Sequence, residues 1–300
     1  MLEKIVFGCV ADNIPKYLDQ AMRLLQSWKW FGGRLVNADF YVCVVDEVSA
    51  DYRYKYESLG AQVHVVPRFS SLHPPSNKLR FLELPQLADA TRVILLDCDT
   101  IIVQEPCVLI DNAVFIAKTA DFRTVSPSVF ENIFRAFDIK MPLAIERCTV
   151  SGEQTIPYFN AGVLSFSRHA MDTLVPEWIR LNKELLKRID LLQSCSNFCE
   201  QASLSLALAS CESSYKTLSN SGNFPAHCHS GSHGSDLQST DPLIIHYHWL
   251  VDENGLLLLT PYPKVNVRIS AFNAKLRQEE DFEFNNRQFW NSRDGLKNSV

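Results

Sequence analysis

With 300 residues, 46% of them hydrophobic and 21% charged, the chain can bury the core of one large α/β domain or two modest ones, which excludes a disordered or fibrous protein. A net charge of −5 gives no basic field and argues against a nucleic-acid partner. An acidic chain that handled a nucleotide diphosphate would have to neutralise it locally, with a metal or a few Lys and Arg side chains.

Met1-Leu2-Glu3-Lys4 leads straight into an apolar strand, Ile5–Val10, with no signal core before it. No apolar run reaches the ~20 residues of a transmembrane segment, so a cytoplasmic location is expected. Asn13 is a candidate helix cap and Pro15 suits the first turn of a helix. That helix carries Tyr17, Leu18, Ala21, Leu24, Leu25 and Trp28 at helical spacing and stops near Gly32-Gly33. A strand at Asp39–Val45, a polar helix around Ser49–Leu59 and a strand at Gln62–Val66 complete a β-α-β-α-β opening of nucleotide-binding type. It lacks G-x-G-x-x-G, which argues against a dinucleotide site. A Pro- and Ser-rich loop at Ser71–Ser76 precedes a helix expected from about Asn77 to Ala88, bent or ended by Pro85.

Arg92–Leu96 then reads as a strand buried on both faces, and Asp97-Cys98-Asp99 stands where it ends. Open α/β sheets place ligands at the carboxyl ends of their strands. Two acids one residue apart repel unless a cation lies between or beside them, and oxygen ligands of this kind suit Mg²⁺ or Mn²⁺. Segment 119–157, with Arg123, Phe130 and Phe134, shows no strong alternation and looks like an insertion covering the site, either a packed subdomain or an acceptor-binding wall. In Tyr158–Ser167 a polar Asn160 and a Gly162 enter an apolar strand, where neither packs well. A donor-acceptor side chain beside a residue without Cβ permits close approach of a ligand.

Met171–Ile189 is an amphipathic helix, and Asn197 with Glu200 reads as a capping box opening another that runs to Ser210, which leaves Gln201 without a structural reason. Ala226–Thr240 is a loop in which His227, Cys228, His229 and His233 lack regular ligand spacing. Pro242–Tyr247 is a strand, and alternation puts His246 and His248 on one face, so either can supply an imidazole. Nine cysteines, an odd number with no zinc-like double pair, fit free thiols in a reducing compartment.

Asp-x-Asp after an apolar strand, Phe-Asn-Ala-Gly-Val about sixty residues on, an acid-Gln pair on a helix and a late strand ending in His occur here in that order. Together they resemble the retaining glycosyltransferases of family 8, the glycogenin and bacterial lipopolysaccharide galactosyltransferase type, over roughly residues 4–250. The resemblance implies an α/β GT-A fold: a Rossmann-like, mostly parallel sheet flanked by helices, with a helical insertion and a C-terminal extension. It implies one catalytic domain over 1–270, with a nucleotide-binding half (1–103) and an acceptor half (104–270), followed by a polar tail (271–300). The reaction implied moves a hexose from a UDP-sugar, glucose or galactose, to a saccharide or other hydroxyl acceptor.

By matching position, the resemblance gives Asp97, Asp99 and His246 to Mn²⁺ or Mg²⁺, and Lys78 and Cys98 to the nucleotide sugar. Asn160, Ala161 and Gly162 fall to the hexose. Asp12 and Asn13 fall to uracil and ribose, with Tyr17 either stacked on the base or in the core. Gln201 would lie beneath the anomeric carbon with Glu200 beside it. Because Gln201 is a poor nucleophile, retention by front-face departure and attack is expected. The family's Lys-Pro-Trp after the late His is missing: Trp249 follows instead, and Lys264 of Pro261-Tyr262-Pro263-Lys264 is its candidate replacement. Leu96–Thr100 also resembles motif I of haloacid-dehalogenase phosphatases, but Ile101 stands where Thr or Val is wanted and no Gly-Asp-x-x-x-Asp follows. A nucleotidyltransferase would want a Gly-rich basic loop after the first strand, and Val10–Lys16 is not one. A degenerate transferase that binds a nucleotide sugar without turnover is the non-enzyme alternative.

Overall fold

The structure, a computed structural model, describes residues 4–228 and 236–294, with only the helical backbone of 280–294. His229 and His233 of the histidine loop lie outside the described residues. The chain opens with β1 (Ile5–Ala11), α1 (Pro15–Phe31), β2 (Asp39–Val45), α2 (Ala50–Ser58) and β3 (Gln62–Val66), the β-α-β-α-β unit read from the sequence. A short α3 (Leu79–Leu82) leads to β4 (Arg92–Leu96), β5 (Thr100–Ile102) and β6 (Phe115–Thr119). Then come α4 (Pro127–Ala136), a hairpin of β7 (Glu146–Arg147) and β8 (Gln154–Thr155), and the long β9 (Phe159–Ser167). Helices α5 (Arg168–Asp172), α6 (Leu174–Leu186) and α7 (Cys199–Ser210) precede β10 (Tyr215–Thr217), β11 (Phe224–Pro225), β12 (Ile244–His246) and α8 (Pro263–Asp294).

Seven strands form the central sheet in the order β10-β6-β9-β4-β1-β2-β3. All neighbours run parallel except at β9, which is antiparallel to both β4 and β6. This places the carboxyl ends of β4 and β6 and the amino end of β9 on one edge of the sheet. β4 is buried throughout, as its run of aliphatics demands. Val93 and Leu95 join the layer of Phe166, Trp178 and Leu181, while Ile94 and Leu96 join that of Leu24, Trp28 and Val42. Each such side chain contributes roughly 1.5–3 kcal/mol by leaving water. Gly8 of β1 is there for packing: a Cβ on it would lie 2.2 Å from the Phe81 ring.

A second, three-stranded sheet in the order β11-β12-β5 is antiparallel between β12 and β5 and carries β12 to the edge where β4 ends. Its outer face packs with α8 through Ile101, Ile245, Tyr262, Val265, Ile269 and Phe272. The polar tail expected from 271 begins inside α8, whose Phe272 and Leu276 are buried. Among the described residues no helix is long and apolar enough to cross a membrane, and the nine cysteines are free.

Several local expectations are corrected. Asn13 does not cap α1: the cap position is Ile14 without a side-chain bond, and Asn13 Nδ2 instead donates to Glu47 Oε1 at 3.2 Å. The helix expected over Asn77–Ala88 breaks into α3 and two 3-10 turns, Pro74–Lys78 and Pro85–Leu87. Pro85 forces the extended backbone of Leu84, φ −67° and ψ 127°, and so ends it early. The Met171–Ile189 helix is divided between α5 and α6 at Thr173. The Asn197–Glu200 capping box does not form; α7 starts at Cys199 after Phe198 with no side-chain cap, and Glu200 turns inward. Phe130 and Phe134 of the 119–157 segment are buried in the core, with Phe130 edge-on to Tyr158.

Candidate active site

The edge where β4 stops is built by three neighbouring backbones. Asp97 N donates to Gly162 O of β9 at 2.8 Å, and Thr100 closes the turn by giving its N–H and its hydroxyl to Asp97 O. Asp99 O accepts from Tyr247 N at 3.0 Å, which draws the end of β12 against the Asp97-Cys98-Asp99 turn. The result brings together a carboxylate and two imidazoles. His246 Nε2 lies 3.1 Å from Asp99 Oδ1, His248 Nδ1 lies 3.3 Å from Oδ2, and the two rings stack with centroids 3.9 Å apart.

Residue 248 follows the strand in the left-handed region, φ 55°, which turns its ring back to the same carboxylate. Ligand atoms of Asp99, His246 and His248 all lie within 4.8 Å of one another. Burial opposes the charge of Asp99, yet the two imidazoles outweigh it and hold the carboxyl far below the usual carboxylate range. Burial likewise opposes the charge of His246, but Asp99 raises its pKa; burial and the charge of His246 push that of His248 down.

Asp97 stands beside this group and takes a different partner. Its carboxylate is held by Lys78 Nζ, 2.6 Å from Oδ1, and the same ammonium donates to Ala161 O at 3.2 Å. Lys78 is buried, which disfavours its charge, but Asp97 and Glu200 raise its pKa. Gly162 earns its place through a side chain, since a Cβ there would lie 2.4 Å from His246 Cε1 and 2.6 Å from Nδ1. Asn160 bonds through both ends of its amide: its Oδ1 accepts from Gly162 N and Asn223 Nδ2, and its Nδ2 donates to Asp121 Oδ2.

A cavity of about 200 Å³ opens beside this edge, lined by Asp12, Tyr17, Pro74, Lys78, Asp97, Cys98 and Asp99 among others. Asp12 Oδ1 accepts from Asn77 Nδ2 at 2.8 Å, and Arg68 adds an ion pair at 3.4 Å. Asn13 is not among the lining residues. Lys264 bonds Ser239 O at 2.6 Å from the start of α8. Glu200 is buried beside His73, and Gln201 Nε2 donates to Glu200 Oε1 at 3.5 Å.

Three residues escaped the sequence reading. Asp121 follows β6 at the same sheet edge and ties the buried Lys118, Thr149 and Asn160 together; an acid just past an apolar strand, the feature that marked Asp97, was its signal. Gln20, which accepts from Cys98 Sγ and donates to His248 O, sits on an ordinary helical face and had none. Neither had His73, in a Pro-Ser loop.

Residues 18–212 match the Rhodobacterales glycosyltransferase domain, well over half of the chain. The chain belongs to this glycosyltransferase family. No curated protein matches this transferase in sequence. Among solved structures it is similar to the galactosyltransferase LgtC in complex with donor and acceptor sugar analogues, at TM-score 0.59 and 14% identity over 90% of this chain and 95% of that one. It is also similar to the glycosyltransferase GlyE of Streptococcus pneumoniae, at TM-score 0.51 and 13% identity over 93% of this chain and 64% of that one. Mouse xyloside xylosyltransferase 1 follows at TM-score 0.50 and 13% identity, over 82% and 98%. At such identities the likeness is one of fold, and the fold is that of the GT-A glycosyltransferases. Family membership sets the phosphatase reading of the Asp97–Asp99 turn aside.

Proposed function

We propose that this transferase is a divalent-metal-dependent, retaining hexosyltransferase of the family 8 type, which moves glucose or galactose from a UDP-sugar to a hydroxyl of a saccharide acceptor. The observation that carries the reading is the Asp99, His246 and His248 group, whose Asp99 lines the Asp12–Tyr17–Lys78 cavity. One carboxylate and two imidazoles converging on a common point suit a divalent ion, and nitrogen ligands favour Mn²⁺ over Mg²⁺. Asp97, next to this group, is the further carboxylate we assign to it. When bound, the ion would act as a Lewis acid on the leaving diphosphate.

The chain's own residues do the rest. Asp12, oriented by Asn77 and Arg68, accepts from the base or ribose, and Tyr17 forms the apolar wall beside it. Asn13, outside the cavity lining, serves at most its margin. Lys78 supplies a buried fixed cation for the phosphates, while Cys98 shapes the floor between the two acids. Asn160, Ala161 and Gly162 form the backbone shelf beneath the hexose, with Glu200 and Gln201 at the α7 end. Another LgtC structure is described as an active-site glutamine-to-glutamate mutant, which fits an active-site role for a glutamine such as Gln201. Holding donor and acceptor in line and excluding water supplies on the order of 7–11 kcal/mol of the barrier. With no strong nucleophile at Gln201, leaving and attack proceed on one face of the sugar.

The test is UDP release from a panel of UDP-sugars by wild type and Asp99→Ala, with Mn²⁺ or EDTA. Metal-dependent release from one sugar, lost in the variant, is expected. Metal-dependent UDP binding without turnover would move the reading to a nucleotide-sugar-binding protein. An inverted product anomer by NMR would refute retention.

A further inference from the structure

One polar chain in the molecule has no part in the metal group. His73 and Glu200 face each other with side chains 3% and 4% exposed, His73 Nε2 lying 3.4 Å from Glu200 Oε2. Both atoms are buried and have no hydrogen-bond partner. On its other side the imidazole is fixed: Nδ1 lies 2.8 Å from Ser76 Oγ, and His73 N donates to Ser70 Oγ. Asn77 Oδ1 accepts from Phe69 N, closing the loop on itself, and Pro74 and Pro75 next to His73 line the donor cavity. Glu200 is anchored through its backbone O, which accepts from Trp178 Nε1 at 2.9 Å.

The loop beside the donor cavity therefore reaches α7 through a buried imidazole and a buried carboxylate. We propose that His73 is a positioning residue: it holds Glu200, and Glu200 fixes the Gln201 amide with its nitrogen inward and its oxygen free for the sugar. This rests on the reading of Gln201 as the residue beneath the anomeric carbon.

The chemistry runs in one direction. An ionised carboxylate has only acceptor atoms, so it can meet Gln201 only through the amide nitrogen, and Oε1 must face the other way. Among the described residues no hydrogen bond engages that oxygen. A buried carboxylate needs donors against it: Gln201 Nε2 serves Oε1, and His73 Nε2 faces Oε2 at 3.4 Å. With the imidazole gone, Glu200 loses the group that faces its Oε2, and the carboxylate and the amide bonded to it are free to turn. The orientation matters because positive charge develops at the anomeric carbon as the diphosphate leaves: an amide oxygen stabilises it and an amide NH₂ opposes it. Such an effect belongs to kcat, since the ground-state sugar carries no such charge.

The test compares His73→Gln, whose amide nitrogen reaches the place of Nε2, with His73→Asn, which reaches only that of Nδ1. The expected result is a fall in kcat of about tenfold to a hundredfold in His73→Asn, with KM for the UDP-sugar changed by less than about twofold and His73→Gln near wild type. Equal losses in both, a loss in KM alone, or no loss would overturn the proposal. Calorimetric binding of Mn²⁺ and UDP, unchanged in both variants, shows that they fold. If the wild-type chain turns over no UDP-sugar, the donor-site reading fails on its own account, and ¹⁵N spectra decide the polar chain. A His73 Nε2–H, with a Gln201 side-chain amide signal that moves in Glu200→Gln, supports it. An unprotonated Nε2 or an unmoved amide overturns it, and the wild-type tautomer needs no variant to read.

Discussion

Gly162 and Asp121 show how single residues build the site indirectly. Gly162 lies beside the His246 ring, which takes up the space a side chain would need. Gly162→Ala puts a methyl 2.4 Å from His246 Cε1 and must push the ring off Asp99. Misplacing one ligand in this way is expected to weaken Mn²⁺ binding about 10–100-fold, which a calorimetric titration would show; wild-type affinity would falsify the packing account. Asp121 and Lys118 form a buried ion pair, so Asp121→Ala leaves an uncompensated ammonium and is expected to cost about 3–5 kcal/mol. Burial opposes the charge of Asp121, but Lys118 outweighs it and holds the folded pKa below the ordinary value of 3.8. The pair's stabilisation is then complete above about pH 4 and fades as pH falls through the lowered folded pKa. Denaturant midpoints of wild type and Asp121→Asn should differ fully at pH 7 and converge in acid; a gap independent of pH would contradict the assignment.

At the scale of elements, β12 couples an apolar sheet to the proposed metal group. Its Ile244 joins the core around α1, Ile245 the core under α8, and His246 the site. α8 thus shares an apolar cluster with Ile245, the residue before the imidazole. Phe272 lies fully buried in the same apolar cluster as Ile245 and Tyr262. Phe272→Ala is expected to loosen this layer by about 3–5 kcal/mol, the usual cost of emptying an aromatic site. Hydrogen exchange should then quicken at the amides of Ile244–His246 while those of β1 and β2 keep their protection. Uniform acceleration across both sheets would mean that the small sheet is not a separate unit. The short α3 delivers Phe81 onto Gly8, and Lys78, at the end of the 3-10 turn before it, reaches Asp97.

At the scale of the whole molecule, two sheets meet at one edge, and a ligand bridging them should stabilise both. Asp99 comes from the turn between β4 and β5, the histidines from the end of β12. An ion held by all three clamps the large sheet to the small one, and at a hundredfold excess over its Kd it adds about 2.7 kcal/mol. A chain of this length should then melt several degrees higher with Mn²⁺, and EDTA should reverse the shift. The rise should vanish in Asp99→Ala and in His246→Ala; an undiminished shift in either would place the ion elsewhere.

The strand and helix pattern up to β3 was legible in the sequence because it follows from periodicity and from Gly and Pro punctuation, which act over a few residues. β4 itself announced both its burial and its terminal acids. The residues Asp97, Asp99, His246 and Gly162 could be picked out because each breaks an otherwise apolar strand or ends one. What each of them touches was decided by the tertiary structure. Asp97 pairs with Lys78, His248 joins His246 on Asp99, Glu200 abandons its capping box for His73, and Gly162 yields to an imidazole rather than to open space. Partners brought together across 19 positions, as Lys78 and Asp97, or 147, as Asp99 and His246, leave no local trace. Burial and charge pairing settle such contacts only after β9 is laid between β4 and β6 and the small sheet is folded against their edge.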